Sequence, residues 1–351
     1  MTARVDDRGL VSLFMKRIFA GASFVVLACA LVASAIVYAQ DAVPLKQTAT
    51  IPLAKVSGRI DHLEFDAASG RLFVAALGNN TVEVVDMGKN QLLRSLIGFR
   101  EPQGVALAAE LNVAAVANGE SGTLQLLDLQ TLQTRWTVEI GSDADNVRYD
   151  ALARRLYVAA QGGLSAVDPT SGRVTGRIPI SGHPESFQLE VEGSRVFTNL
   201  PGILSNLIGT GQVVVADRKT MAASRKWSVC GANYPMALDE IGRRLFVGCR
   251  RPASIAMLDT QSGKTVATVP AVGDTDDLFY DADGRRLYVI GGEGAIDVFA
   301  RESDALRRIA RVRTRDGART GLWVASQRRL FVLLPARGSQ AAEIRVFEAQ
   351  R

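Results

Sequence analysis

The chain has 351 residues, of which 47% are apolar and 22% charged, and its formal net charge is +5. This length and apolar content are sufficient for one large closed domain. Residues 40–351 hold 37 basic and 34 acidic side chains, an excess too small to indicate a nucleic-acid partner.

The first predicted element is an uncharged, mostly apolar run, Ile18–Tyr38, which follows Lys16 and Arg17. A basic start, an apolar middle and small residues near Ala39 predict a secretory signal peptide at residues 1–39 and a periplasmic or secreted protein. An uncleaved anchor is the alternative, because a run of 21 residues can span a bilayer. Only this segment would then contact a membrane. Residues 40–47 are interpreted as a polar linker.

A repeated unit begins after this linker. Its anchor is the pattern Arg-Leu-aromatic-Val, first seen at Arg71–Val74, with degenerate copies ending at Val116 and Thr198. The steps between the last residues of successive anchors are 42, 42, 40, 49, 42 and 43 residues. A period in this range is typical of repeat proteins. The seven anchors end at Val74, Val116, Val158, Thr198, Val247, Val289 and Val332.

Each unit carries the signals of four short strands. Apolar residues nine and eleven positions before the anchor predict a first strand, and acidic and glycine residues, as in Asp281–Arg285, predict a hairpin turn into the anchor strand. Two further strands follow, for example Val82–Asp86 and Thr265–Val269. Four antiparallel strands per unit predict an all-β fold, a seven-bladed β-propeller over residues 48–351.

The two ends of the repeat region complement each other. The seventh copy lacks a fourth strand, whereas Thr48–Leu53 precedes the first copy and resembles the fourth-strand segment Ala267–Ala271. We therefore predict that the N-terminal strand completes the last blade, which closes the ring and leaves no open sheet edge.

Two cysteines remain after residue 39, Cys230 and Cys249. In a propeller they would lie at strand ends on the same face of neighbouring blades, so a disulfide is one interpretation in an oxidising compartment. Two buried free thiols are the other.

Two adjacent columns at the start of the first strands are the most polar of the repeat, and the repeats differ there while they agree at structural positions. Convergent polar groups at the mouth of a channel are typical of a ligand site. Solvation of the channel mouth is the alternative. The predicted ligand-binding residues are Asp61, His62, Gln103, Asp145, Asn146, His183, Glu185, Tyr234, Asp276, Asp277 and Arg319.

The fourth copy carries an insertion, Asn199–Gly211, on the same predicted face. Its apolar side chains favour either a lid or partner contact over the site or a loop packed on its own blade. These side chains are Ile203, Leu204, Leu207 and Ile208.

The polar columns suit a divalent cation such as Ca²⁺ or general acid–base chemistry. No nucleophile elbow, phosphate-binding loop, dinucleotide fingerprint or haem-attachment motif occurs in the sequence. We therefore assign no catalytic residue.

The seven anchor copies resemble the YVTN-type β-propeller repeat, and Thr48–Arg351 is similar to YncE-like exported propeller proteins, a WD-repeat-like architecture. The resemblance implies a monomeric, exported binding or scaffold protein that presents its axial face to a small molecule or a protein and has no catalysis. Relatives of this architecture also suggest a metal-dependent lactonase-like hydrolase and an accessory subunit of an exported redox enzyme. Because fold does not determine chemistry, these alternatives remain open.

Overall fold

Residues 43–201 and 211–350 are described by a computed structural model. Within these residues the strands form seven antiparallel sheets of four strands each, as the period of the sequence predicts. The only other regular elements among the described residues are three short 3₁₀ helices, Leu77–Asn79, Ala109–Leu111 and Ala325–Gln327. No helix in this part of the chain has the length and apolar character needed to cross a membrane.

Six of the sheets take their four strands in chain order. Blades 1 to 3 consist of β2 (Leu63–Asp66), β3 (Arg71–Ala76), β4 (Thr81–Asp86), β5 (Gln91–Leu96), β6 (Pro102–Ala108), β7 (Val113–Asn118), β8 (Thr123–Asp128), β9 (Thr134–Glu139), β10 (Val147–Asp150), β11 (Arg155–Ala160), β12 (Gly163–Val167) and β13 (Val174–Pro179). Blades 4 to 6 consist of β14 (Phe187–Leu189), β15 (Arg195–Leu200), β16 (Gln212–Asp217), β17 (Ala222–Ser228), β18 (Gly231–Asp239), β19 (Arg244–Arg251), β20 (Ala253–Asp259), β21 (Thr265–Pro270), β22 (Thr275–Asp281), β23 (Arg286–Gly291), β24 (Ala295–Glu302) and β25 (Ala305–Arg313).

Blade 7 joins the two ends of the propeller. Its strands are β26 (Gly321–Val324), β27 (Arg329–Leu334), β28 (Ala342–Ala349) and the N-terminal strand β1 (Leu45–Leu53). In the β1–β28 pair, Ile51 lies opposite Ile344 and Leu53 opposite Ala342. The predicted closure of the ring by the N-terminal strand is confirmed.

The N-terminal boundary of this strand differs from the sequence interpretation. The linker was expected at residues 40–47, but β1 begins at Leu45 and residues 44–351 form one compact unit. Leu45 is buried against Tyr288 and Phe347, so it belongs to the core instead of a solvated linker. The expected signal peptide, residues 1–39, lies outside the described residues.

The anchor strands are buried on both faces because each blade is packed between two others. In β3, Leu72 and Val74 pack with blade 7, whereas Phe73 packs with blade 2. Each of these fully buried side chains contributes about 1.5–3 kcal/mol relative to exposure. Burial on both faces explains why the anchors are continuous apolar runs, while the first strands alternate.

The arginine that opens the anchor connects neighbouring blades. Arg71 Nη2 donates to the carbonyl oxygen of Leu129 in blade 2 at 2.7 Å, and Arg195 likewise donates to Thr260 in blade 5. The most strongly repeated charged position of the sequence therefore holds the ring together. This use of the arginine accounts for its recurrence without any ligand.

Cys230 and Cys249 form a disulfide in the structure, with their Cα atoms 5.9 Å apart. Cys230 follows β17 at the end of blade 4, and Cys249 lies in β19 of blade 5. The bond therefore ties two neighbouring blades together beside the residues that β19 presents to the axis.

Candidate functional site

The repeat itself brings the starts of the first strands together. The first predicted column stands thirteen positions before the last residue of each anchor. In blades 1, 3 and 4 the backbone N–H of its residue donates to the carbonyl oxygen of the residue after the anchor. These hydrogen bonds join Asp61 to Ala75 at 2.8 Å, Asp145 to Ala159 at 2.9 Å and Glu185 to Asn199 at 3.0 Å. The same backbone geometry therefore places a different side chain at the axis in each blade.

These side chains surround a cavity of about 200 Å³, called here the axial cavity. Its walls include six of the seven residues of the column thirteen positions before the anchor, and the seventh, Asp61, is fully buried beside Arg59. The residues that line the cavity are Arg59, Gln103, Asp143, Asp145, His183, Glu185, Tyr234, Arg250, Asp276 and Arg319.

One side of the cavity, the arginine half, carries three guanidinium groups that are paired with carboxylates. Arg59 Nη2 lies 2.9 Å from Asp61 Oδ2, and Arg250 Nη2 lies 2.6 Å from Asp276 Oδ1. The third pair joins Arg319 Nη2 to Asp274 Oδ2 at 3.0 Å. The Arg250 guanidinium also stacks on the ring of Tyr234, 4.0 Å from its centroid. Charge in this half is thus largely compensated.

The opposite side, the acidic half, consists of Asp143, Asp145, His183 and Glu185. Asp143 accepts a hydrogen bond from Gln103 Nε2 at 3.0 Å, and its other oxygen lies 3.5 Å from His183 Nε2. The Asp145 and Glu185 carboxylates make no hydrogen bond or ion pair within the described residues. Two neighbouring carboxylates without a cationic partner are an unusual arrangement, since burial disfavours the charged form.

The electrostatics of the acidic half follow from this arrangement. Burial, together with the nearby Asp61 charge, raises the pKa of Asp145 to about 7. Burial and the Asp145 charge raise the pKa of Glu185 to about 8. Burial also lowers the pKa of His183, so its imidazole is neutral at physiological pH. The carboxyl groups of the acidic half therefore bind protons near neutral pH and would lose them when a cation binds.

Three predicted residues of the second column, His62, Asn146 and Asp277, line a separate cavity of about 30 Å³. Here His62 Nδ1 is 3.3 Å from Asp277 Oδ2, and the Asn146 amide is 3.3 Å from His62 Nε2. Burial alone would lower the pKa of His62, but the Asp277 and Asp61 carboxylates raise it overall to about 10. Within the described residues, His62, Asn146 and Asp277 thus form a compensated cluster, separate from the walls of the axial cavity.

Three cavity residues were missed by the sequence analysis. Arg59 and Asp143 stand fifteen positions before their anchors, two before the predicted column, as does His183. Strand alternation does not apply to them, because both precede their first strands and Asp143 has a φ of +58°, but the constant offset of fifteen residues from the anchor could have identified them. Arg250 had no such signal, since it reaches the cavity from the end of β19, the longest of the anchor strands.

The predicted lid residues Ile203, Leu204, Leu207 and Ile208 lie outside the described residues. The flanking positions Leu200 and Gly211 connect the segment to β15 and β16 of blade 4. The lid function of the insertion stays a prediction.

Comparisons with known proteins identify the architecture only. No protein-family model and no curated protein matches the chain. The chain is similar to a solved structure of Kuenenia stuttgartiensis hydrazine synthase, with 14% identity over 80% of this chain and 95% of that chain and a TM-score of 0.67. It is also similar to a chain in the crystal structure of a mitotic checkpoint complex, with 13% identity over 87% of this chain and 92% of that chain and a TM-score of 0.72. At such identities the likeness shows a shared WD-repeat-like β-propeller fold alone. Membership of the YVTN-type family stays a prediction.

Proposed function

We propose that this protein is an exported binding propeller that holds a small, oxygen-rich polar compound, of the sugar-acid or lactone class, in the axial cavity. The observation that carries the proposal is the asymmetry of the cavity. Unpaired carboxylates face guanidinium groups that are still 50% exposed in Arg59 and 30% exposed in Arg319. Such a pair of contrasting walls suits a single asymmetric ligand better than a solvated channel mouth does.

The size of the cavity restricts the ligand. Its volume of about 200 Å³ is below the roughly 300–1,000 Å³ of sites for drug-sized molecules, so the ligand is a small metabolite. Carboxylate or hydroxyl oxygens of the ligand would accept hydrogen bonds from Arg59 and Arg319, which offer donors in a planar fork. We propose no catalysis by the chain in this function. A protein partner on the same face is the other binding role that the propeller fold allows.

Thermal-shift assays test this proposal with gluconate, glucuronate and their lactones as probes. A compound present at a hundredfold excess over its Kd stabilises the fold by about 2.7 kcal/mol. We expect at least one probe to raise the melting temperature of the unmodified chain, with the effect lost in Arg59→Gln and Arg319→Gln. Arg337→Gln, which removes an exposed surface guanidinium, is the matched control. The proposal is wrong if no probe shifts the transition or if both cavity variants respond like the control.

A lactonase-like hydrolase is the second candidate. It is favoured by the proximity of Asp145, His183 and Glu185, whose potential ligand atoms lie within 4.8 Å of one another, because a metal at such a site could polarise a carbonyl oxygen. This candidate predicts hydrolysis of gluconolactone above the spontaneous rate, abolished by EDTA. The third hypothesis is an accessory subunit of a redox enzyme. The similarity to hydrazine synthase shows only a shared fold, and co-purification with a haem protein would test the hypothesis.

Export is a separate part of the proposal. The sequence signal at residues 1–39 supports it, and the Cys230–Cys249 disulfide is a bond that persists in oxidising compartments. Mass spectrometry of the protein recovered from the cell envelope should find Gln40 at the N-terminus. An intact segment on the exported protein would instead indicate an anchor.

A further inference from the structure

We propose that Asp145, His183 and Glu185 form a binding site for one divalent transition-metal ion in the acidic half of the axial cavity. The inference deepens the proposed function, since it concerns the same cavity, but it is tested with the ion alone. Failure of ion binding would therefore leave the binding of an organic compound untouched, and the reverse also holds.

The three side chains lie near enough to one another to share one ion after they rotate toward it. One ligand atom from each residue can be chosen so that all three lie within 4.8 Å of one another. Oxygen and nitrogen ligands lie about 2.0–2.2 Å from a tetrahedral Zn²⁺, so the ligand atoms of one ion are about 3.3–3.6 Å apart. Side-chain rotations that bring the ligand atoms closer together by up to about 1.5 Å would complete the coordination.

A second, independent observation is the state of Asp145. Its residue is only 7% exposed, and its carboxylate faces the cavity without a hydrogen bond or ion pair from any described residue. Buried carboxylates are normally paired or coordinate a metal, because an isolated buried charge is costly. The guanidinium groups of the cavity do not fill this role, since the arginine half has its own carboxylate partners.

The surroundings of His183 resemble the outer shell of a metal site. Asp143 Oδ2 lies 3.5 Å from Nε2 of the imidazole, and Asp143 is itself held by Gln103 at 3.0 Å. The other ring nitrogen, Nδ1, is buried and has no hydrogen-bond partner within the described residues. If this contact shortens to a hydrogen bond when an ion binds, Asp143 accepts the Nε2–H, fixes the tautomer and leaves the Nδ1 lone pair for the ion. Asp143 is thus a positioning residue.

The donor set indicates which ions the site prefers. Two carboxylates and one imidazole suit Zn²⁺, Mn²⁺ or Fe²⁺, whereas Ca²⁺ takes six to eight oxygen ligands and Mg²⁺ prefers oxygen as well. The sequence suggested a divalent cation such as Ca²⁺, whereas the imidazole in this site favours a divalent ion that binds nitrogen ligands. Three protein ligands leave at least one coordination position open toward the cavity, where water or an organic ligand could bind.

Calorimetric titration of the chelator-treated chain with ZnCl₂, and separately with CaCl₂, tests the proposal. We expect one Zn²⁺ per chain, and Ca²⁺ binding at least a hundredfold weaker. Asp145→Asn and Glu185→Gln, which preserve side-chain size, should each weaken Zn²⁺ binding at least a hundredfold. Asp274→Asn removes a carboxylate from the arginine half and should change the affinity less than threefold. Circular dichroism before each titration verifies that the variants are folded.

Two further variants test the roles of the imidazole and its carboxylate. His183→Asp turns the ligand set into three carboxylates and should lower the preference for Zn²⁺ over Ca²⁺ at least tenfold. Asp143→Asn should weaken binding about 10–100-fold while the visible spectrum of the Co²⁺-loaded chain keeps its band positions, because the three ligands are unchanged. The proposal is overturned if Ca²⁺ binds as tightly as Zn²⁺, or if the Asp145 and Glu185 variants bind Zn²⁺ like the control.

Discussion

The buried carboxylates of the axial cavity should make the stability of the metal-free protein depend on pH in an unusual direction. The pKa of Asp145 is about 7 in the folded chain against a reference value of 3.8. The folded state therefore holds the proton more tightly than the unfolded state. The favourable contribution is greatest at low pH and is lost as the pH rises from about 4 to about 7.

The size of the effect follows from the shift. Each pKa unit corresponds to about 1.4 kcal/mol, so a shift of roughly three units gives at most about 4 kcal/mol between pH 4 and pH 8. Asp145→Asn removes the titrating group at nearly constant volume. In EDTA-containing buffer this variant should match the unmodified chain near pH 4 and exceed its stability by up to about 4 kcal/mol at pH 8.

Urea unfolding followed by tryptophan fluorescence at pH 4 and pH 8 measures this difference. Asp283→Asn, at an exposed turn position, is the control and should change the stability little at either pH. If the Asp145 variant were less stable than the unmodified chain at pH 8, or if its effect were independent of pH, the description of the acidic half would be refuted. With saturating Zn²⁺ the order at pH 8 should reverse, because the ion stabilises only the chain that retains its ligands.

Three further predictions concern the ring and the arginine half. Deletion of residues 43–53 exposes the surface that Leu45, Ile51 and Leu53 cover and should cost about 5–9 kcal/mol; an unchanged melting temperature would disprove closure by β1. Burial raises the pKa of Asp276, and its partner Arg250, 2.6 Å away, offsets part of this rise. Arg250→Gln removes that offset, so urea unfolding should show a larger loss of stability at pH 8 than at pH 5. Reduction of the Cys230–Cys249 disulfide should lower the stability by about 3 kcal/mol, and a thiol assay on the denatured, unreduced residues 40–351 should detect no free thiol.

The fold was accessible from the sequence because it is repeated. A signal such as Arg-Leu-aromatic-Val is weak in one copy, but seven copies at nearly constant steps specify the blade, its hairpins and the number of blades. The strand that closes the ring was also recognisable, since the last copy lacks one. Its start at Leu45 was missed because Lys46 and Gln47 give a polar local pattern, while the burial of Leu45 depends on blades 6 and 7.

The candidate site was accessible only in part. Column positions predicted which residues reach the axis, because the backbone is equivalent in every blade. The division into an acidic and an arginine half depends on side-chain partners in the same or a neighbouring blade. Arg250, for example, reaches Asp276 of the next blade from the end of the unusually long strand β19. For the same reason His62 was expected at the ligand, although it lies in the separate compensated cluster.

The most direct test of the axial cavity as a binding site is a crystal structure of the chelator-treated protein soaked with ZnCl₂, with anomalous data collected at the zinc edge. The account predicts one strong anomalous peak per chain, bounded by Asp145, His183 and Glu185, about 2.0–2.2 Å from each ligand atom. Absence of a peak in the acidic half, with occupied sites only on the outer surface, would contradict it.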